Sequence, residues 1–252
     1  MIYQHTSTPS WFDVDQASIH GTDLAMFPPA GGNTTSFRDY QSQDVGARLL
    51  LASLPARGMR YSEPPVSTME TLIENLVGEL ERVSHSPVAL FGHSLGAIIA
   101  FEVARRLSSP PIALFVAGSD EPAARHRVPR PRSEMNDSEF VEELRRIGGT
   151  PKAVLENEDL LSFMMPALRA DFTLVDTYRY EDSEPLRCPI HVLCGDSDTA
   201  TTAAGMEAWS ARTTNRVTVT SIPGSHFFVQ EHPDLIQRFI RRSLHNSLVG
   251  VA

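Results

Sequence analysis

Short apolar runs alternate with amphipathic segments along the chain: Leu24 to Phe27, Leu49 to Leu54, Val88 to Phe91, Ile112 to Val116, Ile190 to Leu193 and Val217 to Ile222. Runs this short and this continuously apolar read as strands buried on both faces. Between them, Met69 to Val83 places Met69, Leu72, Ile73, Leu76, Val77, Leu80 and Val83 at spacings of three and four, the single stripe of an amphipathic helix. Further helices are predicted from Ser94 to Leu107, directly after a strand, and from Pro233 to about His245. This alternation predicts a three-layer α/β domain, a mostly parallel sheet with helices on both faces, that takes in the whole of residues 1–252.

One stretch breaks the alternation. From about Asp120 to Tyr180 no strand pattern occurs, while helical signals do. Asp137 is placed to cap a helix carrying Phe140, Val141, Leu144 and Ile147, and Gly148-Gly149 is suited to end it. A second helix is expected from about Asn157 to Met165 and a third after Pro166, running to about Tyr178, with Asp171 and Asp176 as solvated helix charges. Residues 120–180 thus read as a helical insertion over the working edge of the sheet. The basic run within Ala123 to Arg132 reads as an exposed connector.

Composition narrows the functions open to such a domain. The chain is 41% hydrophobic and 21% charged, which supports a buried core. Its net charge of −9, without a long basic run, argues against nucleic acid and against an anionic membrane surface. The start of the chain, Met1 to Phe12, lacks a basic segment followed by an apolar stretch, and no apolar run approaches the roughly 20 residues that span a bilayer. A cytoplasmic location follows as an expectation. Cys188 and Cys194 fit neither a disulfide framework nor a zinc site and read as packing residues.

The candidate chemistry centres on Gly92-His93-Ser94-Leu95-Gly96, between a predicted strand and a predicted helix. A serine on such a sharp turn is exposed above the sheet, and the helix N-terminus points unsatisfied N–H groups at any oxyanion formed there. A serine hydroxyl needs a base, usually histidine, oriented by a carboxylate, and on this architecture the chain order is Ser, acid, His. His226, in the loop after the last strand, is the favoured base, with His232 the main rival; His93 should point elsewhere. Asp196 and Asp198 both follow the Ile190 strand. Asp198 is favoured as the acid and Asp196 as an acceptor that stabilises the loop. An oxyanion would take one N–H from Leu95 and one from the loop Phe27-Pro-Pro-Ala-Gly-Gly-Asn33, where Pro28 and Pro29 have none and Ala30 or Gly31 remains.

These residues, together with Leu54-Pro-Ala-Arg-Gly58, Glu63-Pro-Pro65, Glu143-Leu-Arg-Arg-Ile-Gly-Gly-Thr-Pro151, Leu168-Arg-Ala-Asp-Phe172, Tyr178-Arg-Tyr180 and Pro223-Gly-Ser-His-Phe-Phe228, resemble the type II thioesterases of polyketide and nonribosomal peptide assembly lines. The resemblance runs from about Leu24 to Pro233 and implies an α/β-hydrolase fold in which residues 120–180 form a lid. It implies hydrolysis of acyl groups from the phosphopantetheine arm of an acyl or peptidyl carrier protein, with no metal or other cofactor, by a monomer. It also implies Asp198 as the acid, 28 positions before His226, and Ala30 as the oxyanion donor beside Leu95. Phe163, Met164, Leu168 and Phe172 would line an acyl chamber, and Arg127, Arg130 and Arg132 would meet the carrier protein. Departures from the pattern are Pro29 where histidine is common, Ala56 where glycine is usual and Leu95 where methionine is common. A product-releasing thioesterase, a carboxylester hydrolase on the same fold and a catalytically silent binding protein are the alternatives.

Overall fold

The computed structural model describes residues 10–15, 21–42, 44–124 and 130–249. The reading of the first nine residues and that of Arg125, His126 and Arg127 lie outside them. Among the described residues seven strands form one sheet: β1 (Phe12–Val14), β2 (Asp23–Phe27), β3 (Arg48–Ala52), β4 (Val88–His93), β5 (Ala113–Ala117), β6 (Ile190–Gly195) and β7 (Val217–Ile222). Their order is β1-β3-β2-β4-β5-β6-β7, and every neighbouring pair is parallel except β1 with β3. The six apolar runs are the six parallel strands. β1 is a three-residue edge strand, too short to set up a readable alternation.

Period-two alternation divides each strand between two cores. Ala25, Phe27, Leu50, Leu90, Leu114, Val116, Ile190 and Val192 face helices α1 (Met69–Val83) and α2 (Leu95–Arg106) and the side chain of Trp209, which follows α6 (Ala203–Glu207). Leu24, Met26, Leu49, Leu51, Phe91, Phe115 and Leu193 face α8 (Pro233–Val249), through Ile236, Ile240 and Leu244, and the irregular helical segment Thr34–Ser42. Cys188 and Cys194 are free and buried, and burial pushes the Cys188 thiol up to about 12. Among the described residues no helix is long and apolar enough to cross a membrane.

Between β5 and β6 lie α3 (Asp137–Ile147), the single turn α4 (Lys152–Leu155) and α5 (Glu158–Thr177). Three expectations are corrected here. The cap of α3 is Asn136, whose side chain accepts from the Glu139 N–H while Glu139 reaches back to the Asn136 N–H; Asp137 is the first helical residue. Gly148 and Gly149 do end the α3 region, at φ +81° and +83°. The two helices expected on either side of Pro166 are one helix of 20 residues. Proline removes one donor, leaving the Ser162 carbonyl without its helical partner, but the chain keeps its direction because Ala167, Leu168, Ala170, Phe172 and Leu174 bury a continuous face. Finally, Asp171 and Asp176 are not solvated: both side chains are almost fully buried in ion pairs, Asp171 with Arg57 and Asp176 with Arg132. Phe140, Leu144, Leu168 and Phe172 form a small separate core between α3 and α5.

Candidate active site

The carboxyl ends of the central strands meet at one edge, with Phe27 paired to Gly92 and His93 to Ala117. There the chain passes from β4 into α2 through Ser94, a non-glycine residue at φ +56° and ψ −113°. The flanking glycines make this turn possible. A Cβ on Gly92 would lie 1.9 Å from the Gly96 carbonyl oxygen, and one on Gly96 would lie 2.0 Å from that of Phe27. Both obstructions are backbone and cannot swing away, so the sequence holds Ser94 in a strained conformation by packing α2 directly onto the end of β2.

His226 comes from the loop between β7 and α7 (Phe228–Glu231). That loop sits tightly against the end of β6, where a Cβ on Gly195 would be 2.3 Å from the Ser225 carbonyl oxygen. Asp196 fastens it from below: its Oδ1 accepts the Gly224 N–H at 3.1 Å, and this bond is the main reason its carboxyl lies below the usual carboxylate range. Asp198, two residues on, accepts the Ala200 N–H on Oδ1 at 2.8 Å and faces His226 Nδ1 with Oδ2 at 2.9 Å. His226 Nε2 lies 3.0 Å from Ser94 Oγ.

Proton positions follow from the partners. A carboxylate only accepts, so Nδ1 of His226 carries the proton and donates it to Asp198; in the neutral ring Nε2 is then the acceptor for the Ser94 hydroxyl. Burial works to raise the Asp198 carboxyl, but the hydrogen bonds it accepts from His226 and from the Ala200 N–H outweigh burial, and the group lies below its ordinary value. Asp198 therefore stays a carboxylate, able to hold one tautomer of the ring. The structure thus brings Ser94, His226 and Asp198 into one hydrogen-bonded chain, with Asp196 bracing the loop and His232 at the junction of α7 and α8.

His93 does point away from the serine's open side, yet it is not idle. It is fully buried, its Nε2 donates to the His226 carbonyl at 2.8 Å, and its ring stands 5.3 Å from the His226 ring. Burial, helped by the neighbouring His226, pushes its pKa down to about 3, so it remains neutral. The Gly31 N–H donates to Asp171 Oδ2 at 2.7 Å and is spent, whereas the N–H groups of Ala30 and Leu95 take no partner among the described residues.

A cleft of about 510 Å³ opens beside the site, lined by the Pro29–Ser36 loop, Gly149 to Pro151, Val154, Met164, Leu168 and Phe227. Met164 and Leu168 line this cleft. Phe163 and Phe172 do not: Phe163 is 58% exposed, with its ring near that of Tyr61, and Phe172 packs into the α3–α5 core against Phe140. Residues 163 and 164 project to different sides of α5, so membership of one apolar stripe did not decide which of them would face the cleft. The basic connector is likewise redistributed. Arg132 is 11% exposed, lies over the Phe172 ring and pairs with Asp176 and Glu143, while the more open Arg130 pairs with Glu139. Sequence reasoning missed Arg57 and Asp171 as partners, although both sit in motifs it had singled out.

A parallel sheet whose central strand turns through a strained serine into a helix, with a histidine and an aspartate delivered by the last two strand–helix loops, defines an α/β-hydrolase. Within that class, a match to the thioesterase domain family spans residues 22–244. The chain is 34% identical over 217 residues to the gramicidin S biosynthesis protein GrsT of Aneurinibacillus migulanus, covering 82% of this chain and 83% of that protein. Among solved structures, the type II thioesterase BorB from the borrelidin biosynthetic cluster matches with a TM-score of 0.84 at 34% identity, over 94% of this chain and 99% of BorB. YbtT, the type II thioesterase of the yersiniabactin pathway, matches with a TM-score of 0.84 at 30% identity, over 94% and 99%. The chain belongs to the thioesterase family, and within it to the type II thioesterases of polyketide and nonribosomal peptide pathways.

Proposed function

We propose that the protein hydrolyses acyl groups from the phosphopantetheine arm of acyl or peptidyl carrier proteins, clearing stalled or aberrant chains, with Ser94 as nucleophile, His226 as base and Asp198 as its orienting acid. The observation that carries this reading is the continuous hydrogen-bonded path from Asp198 through His226, at 2.9 Å, to Ser94, at 3.0 Å. Ser94 Oγ attacks the thioester carbonyl carbon as His226 Nε2 takes the hydroxyl proton. The negative oxygen that forms is held by the N–H groups of Leu95 and Ala30. Collapse breaks the C–S bond, and His226 returns the proton to the departing sulfur, leaving an acyl ester on Ser94 and a free thiol on the carrier. Water then repeats the sequence, giving one proton to His226 and its oxygen to the acyl carbon, so that a carboxylic acid leaves and Ser94 regains its proton. Side chains and backbone suffice for every step; the phosphopantetheine arrives as part of the substrate.

Residues 120–180 act in this reading as a lid, with Met164 and Leu168 on the wall of the acyl cleft. Arg130 and, outside the described residues, Arg127 are left to meet the carrier, because the buried pairing of Arg132 with Asp176 makes it a brace within the lid. The test is to offer one acyl group as a carrier-bound thioester, as a pantetheine thioester and as the matched oxygen ester. The reading predicts the highest kcat/KM on the carrier-bound thioester. Preference for the oxygen ester would identify a carboxylester hydrolase instead, and when the carrier assay is repeated over a series of acyl chains, activity confined to one mature chain would point to product release.

A further inference from the structure

Two motifs that the catalytic reading leaves unused meet inside the molecule. Arg57, from the segment after β3, is joined to Asp171, from the middle of α5, by two hydrogen bonds of 2.5 and 2.8 Å between planar groups. The pair is almost completely buried, at 10% and 2% side-chain exposure. The same Asp171 oxygen that meets Arg57 Nη1 also accepts the Gly31 N–H at 2.7 Å, and Arg57 Nη1 donates onward to the Gly32 carbonyl at 3.2 Å. Arg57 Nε is tied to its own turn through the Pro55 carbonyl at 3.1 Å. One ion pair therefore grips the Ala30-Gly31-Gly32 loop from both sides.

The lid helix touches that loop a second time. A Cβ at Gly31, whose φ is +74°, would lie 2.5 Å from Leu168 Cδ2, one helical turn before Asp171. Ala30 itself packs both on the main core and on the α3–α5 core. The peptide whose N–H is Ala30's is thus adjacent to one pinned by α5, and its direction depends on how α5 is seated.

Resting on the reading above, in which the Ala30 N–H serves the oxyanion, we propose that Asp171 is a positioning residue. Paired with Arg57, it locks the Gly31 N–H and so aims the Ala30 N–H at the oxygen that becomes charged. A seated lid and a competent oxyanion loop are then the same state. A pair that merely stapled the helix to the domain would leave transition-state stabilisation untouched once the protein was folded.

The test compares the parent with Asp171→Asn and with the double variant Arg57→Met/Asp171→Leu. The double variant removes both charges together and strands neither in the interior, so it keeps the fold. Three quantities are read: kcat and KM for hexanoyl-pantetheine, the Kd of the thioether analogue lacking the carbonyl, and the Kd of the trifluoromethyl ketone analogue that forms a tetrahedral adduct with serine. Because a single oxyanion donor contributes about 100- to 1000-fold to kcat, misaiming one is expected to lower kcat by about 10- to 100-fold. Affinity for the ketone should weaken by the same factor, while KM and thioether binding stay within about twofold, as for an interaction made only in the transition state. Parental kcat and ketone affinity in a folded variant would overturn the proposal, as would a loss appearing equally in thioether binding. Failure of both variants to fold would assign the pair to structure alone and overturn it too. Should the parent itself leave the thioester intact, the hydrolase reading falls and takes the positioning role with it; a hydrolysing parent with matching variants removes only the positioning role.

Discussion

Asp196 and Asp198 stand two positions apart and do different work. Asp198 accepts from His226 Nδ1 with one oxygen and from the Ala200 N–H with the other, so an amide at this position presents NH₂ either to a ring N–H or to a backbone N–H. Asp198→Asn is therefore expected to favour the wrong imidazole tautomer and to lower kcat by up to about 10⁴-fold. Asp196→Asn retains an oxygen for the Gly224 N–H, its role being to brace a loop, and should lower kcat less than about tenfold, as for a neutral bond replacing a charged one. Steady-state hydrolysis of an acyl-pantetheine by both variants checks the order; the reverse order would move the acid to Asp196. Ser94 and His226 were legible from chain order because each lies in a short loop fixed at both ends by an apolar strand and a helix; spacing alone did not separate Asp198 from Asp196, and the loop position and the family resemblance favoured Asp198. Arg57 and Asp171 were not, since their partnership joins positions 114 apart and nothing local to either residue marks it as buried.

Helices and strands followed the apolar periodicity wherever an element is long enough to repeat it. Met69–Val83 has the predicted limits, and Val217–Ile222 does as well. The misreadings fall where local rules compete. Pro166 reads as a helix start, because in an isolated peptide a proline ends the preceding helix; packing of the α5 face onto α3 and onto the Ala30-Gly31 loop overrides it. Asp137 reads as a cap, yet Asn136 has an equally suitable oxygen and the better register with Glu139. That capping box gives α3 a measurable dependence. Asn136→Ala should cost about 1 kcal/mol. Native-state hydrogen exchange should show the loss in the amides around Phe140 and Leu144, whereas unchanged protection there would mean that the box contributes nothing.

Across the whole molecule, buried histidines couple stability to pH. Burial pushes His93 down to about 3, and burial with the nearby Arg216 pushes His191 down to about 4. Neither is a surface group; His191 stacks on Phe115 at 4.8 Å and bonds Thr218 Oγ1. Below about pH 6.5 the unfolded chain takes up protons at both positions while the folded protein does not, so stability falls as pH falls, by at most about 1.4 kcal/mol per pH unit for each histidine. The lowered Asp198 adds to the loss at still lower pH, where its protonation in the unfolded chain precedes that in the folded one. Urea unfolding at pH 7 and pH 5 should show a lower midpoint at pH 5, and His191→Gln should reduce the difference. Equal midpoints in the parent would contradict the buried, neutral assignment.

The proposed hydrolysis turns on a single covalent event, the passage of an acyl group through Ser94. Its most direct measurement is the mass of the enzyme quenched with acid during turnover of an acyl-pantetheine thioester, followed by peptide mapping. The expected result is the mass of one acyl group on the peptide that contains Ser94, matched by release of free thiol, and neither acyl adduct nor thiol release with Ser94→Ala. Thiol released at the parental rate by Ser94→Ala, or an acyl group carried on any other residue, would contradict it.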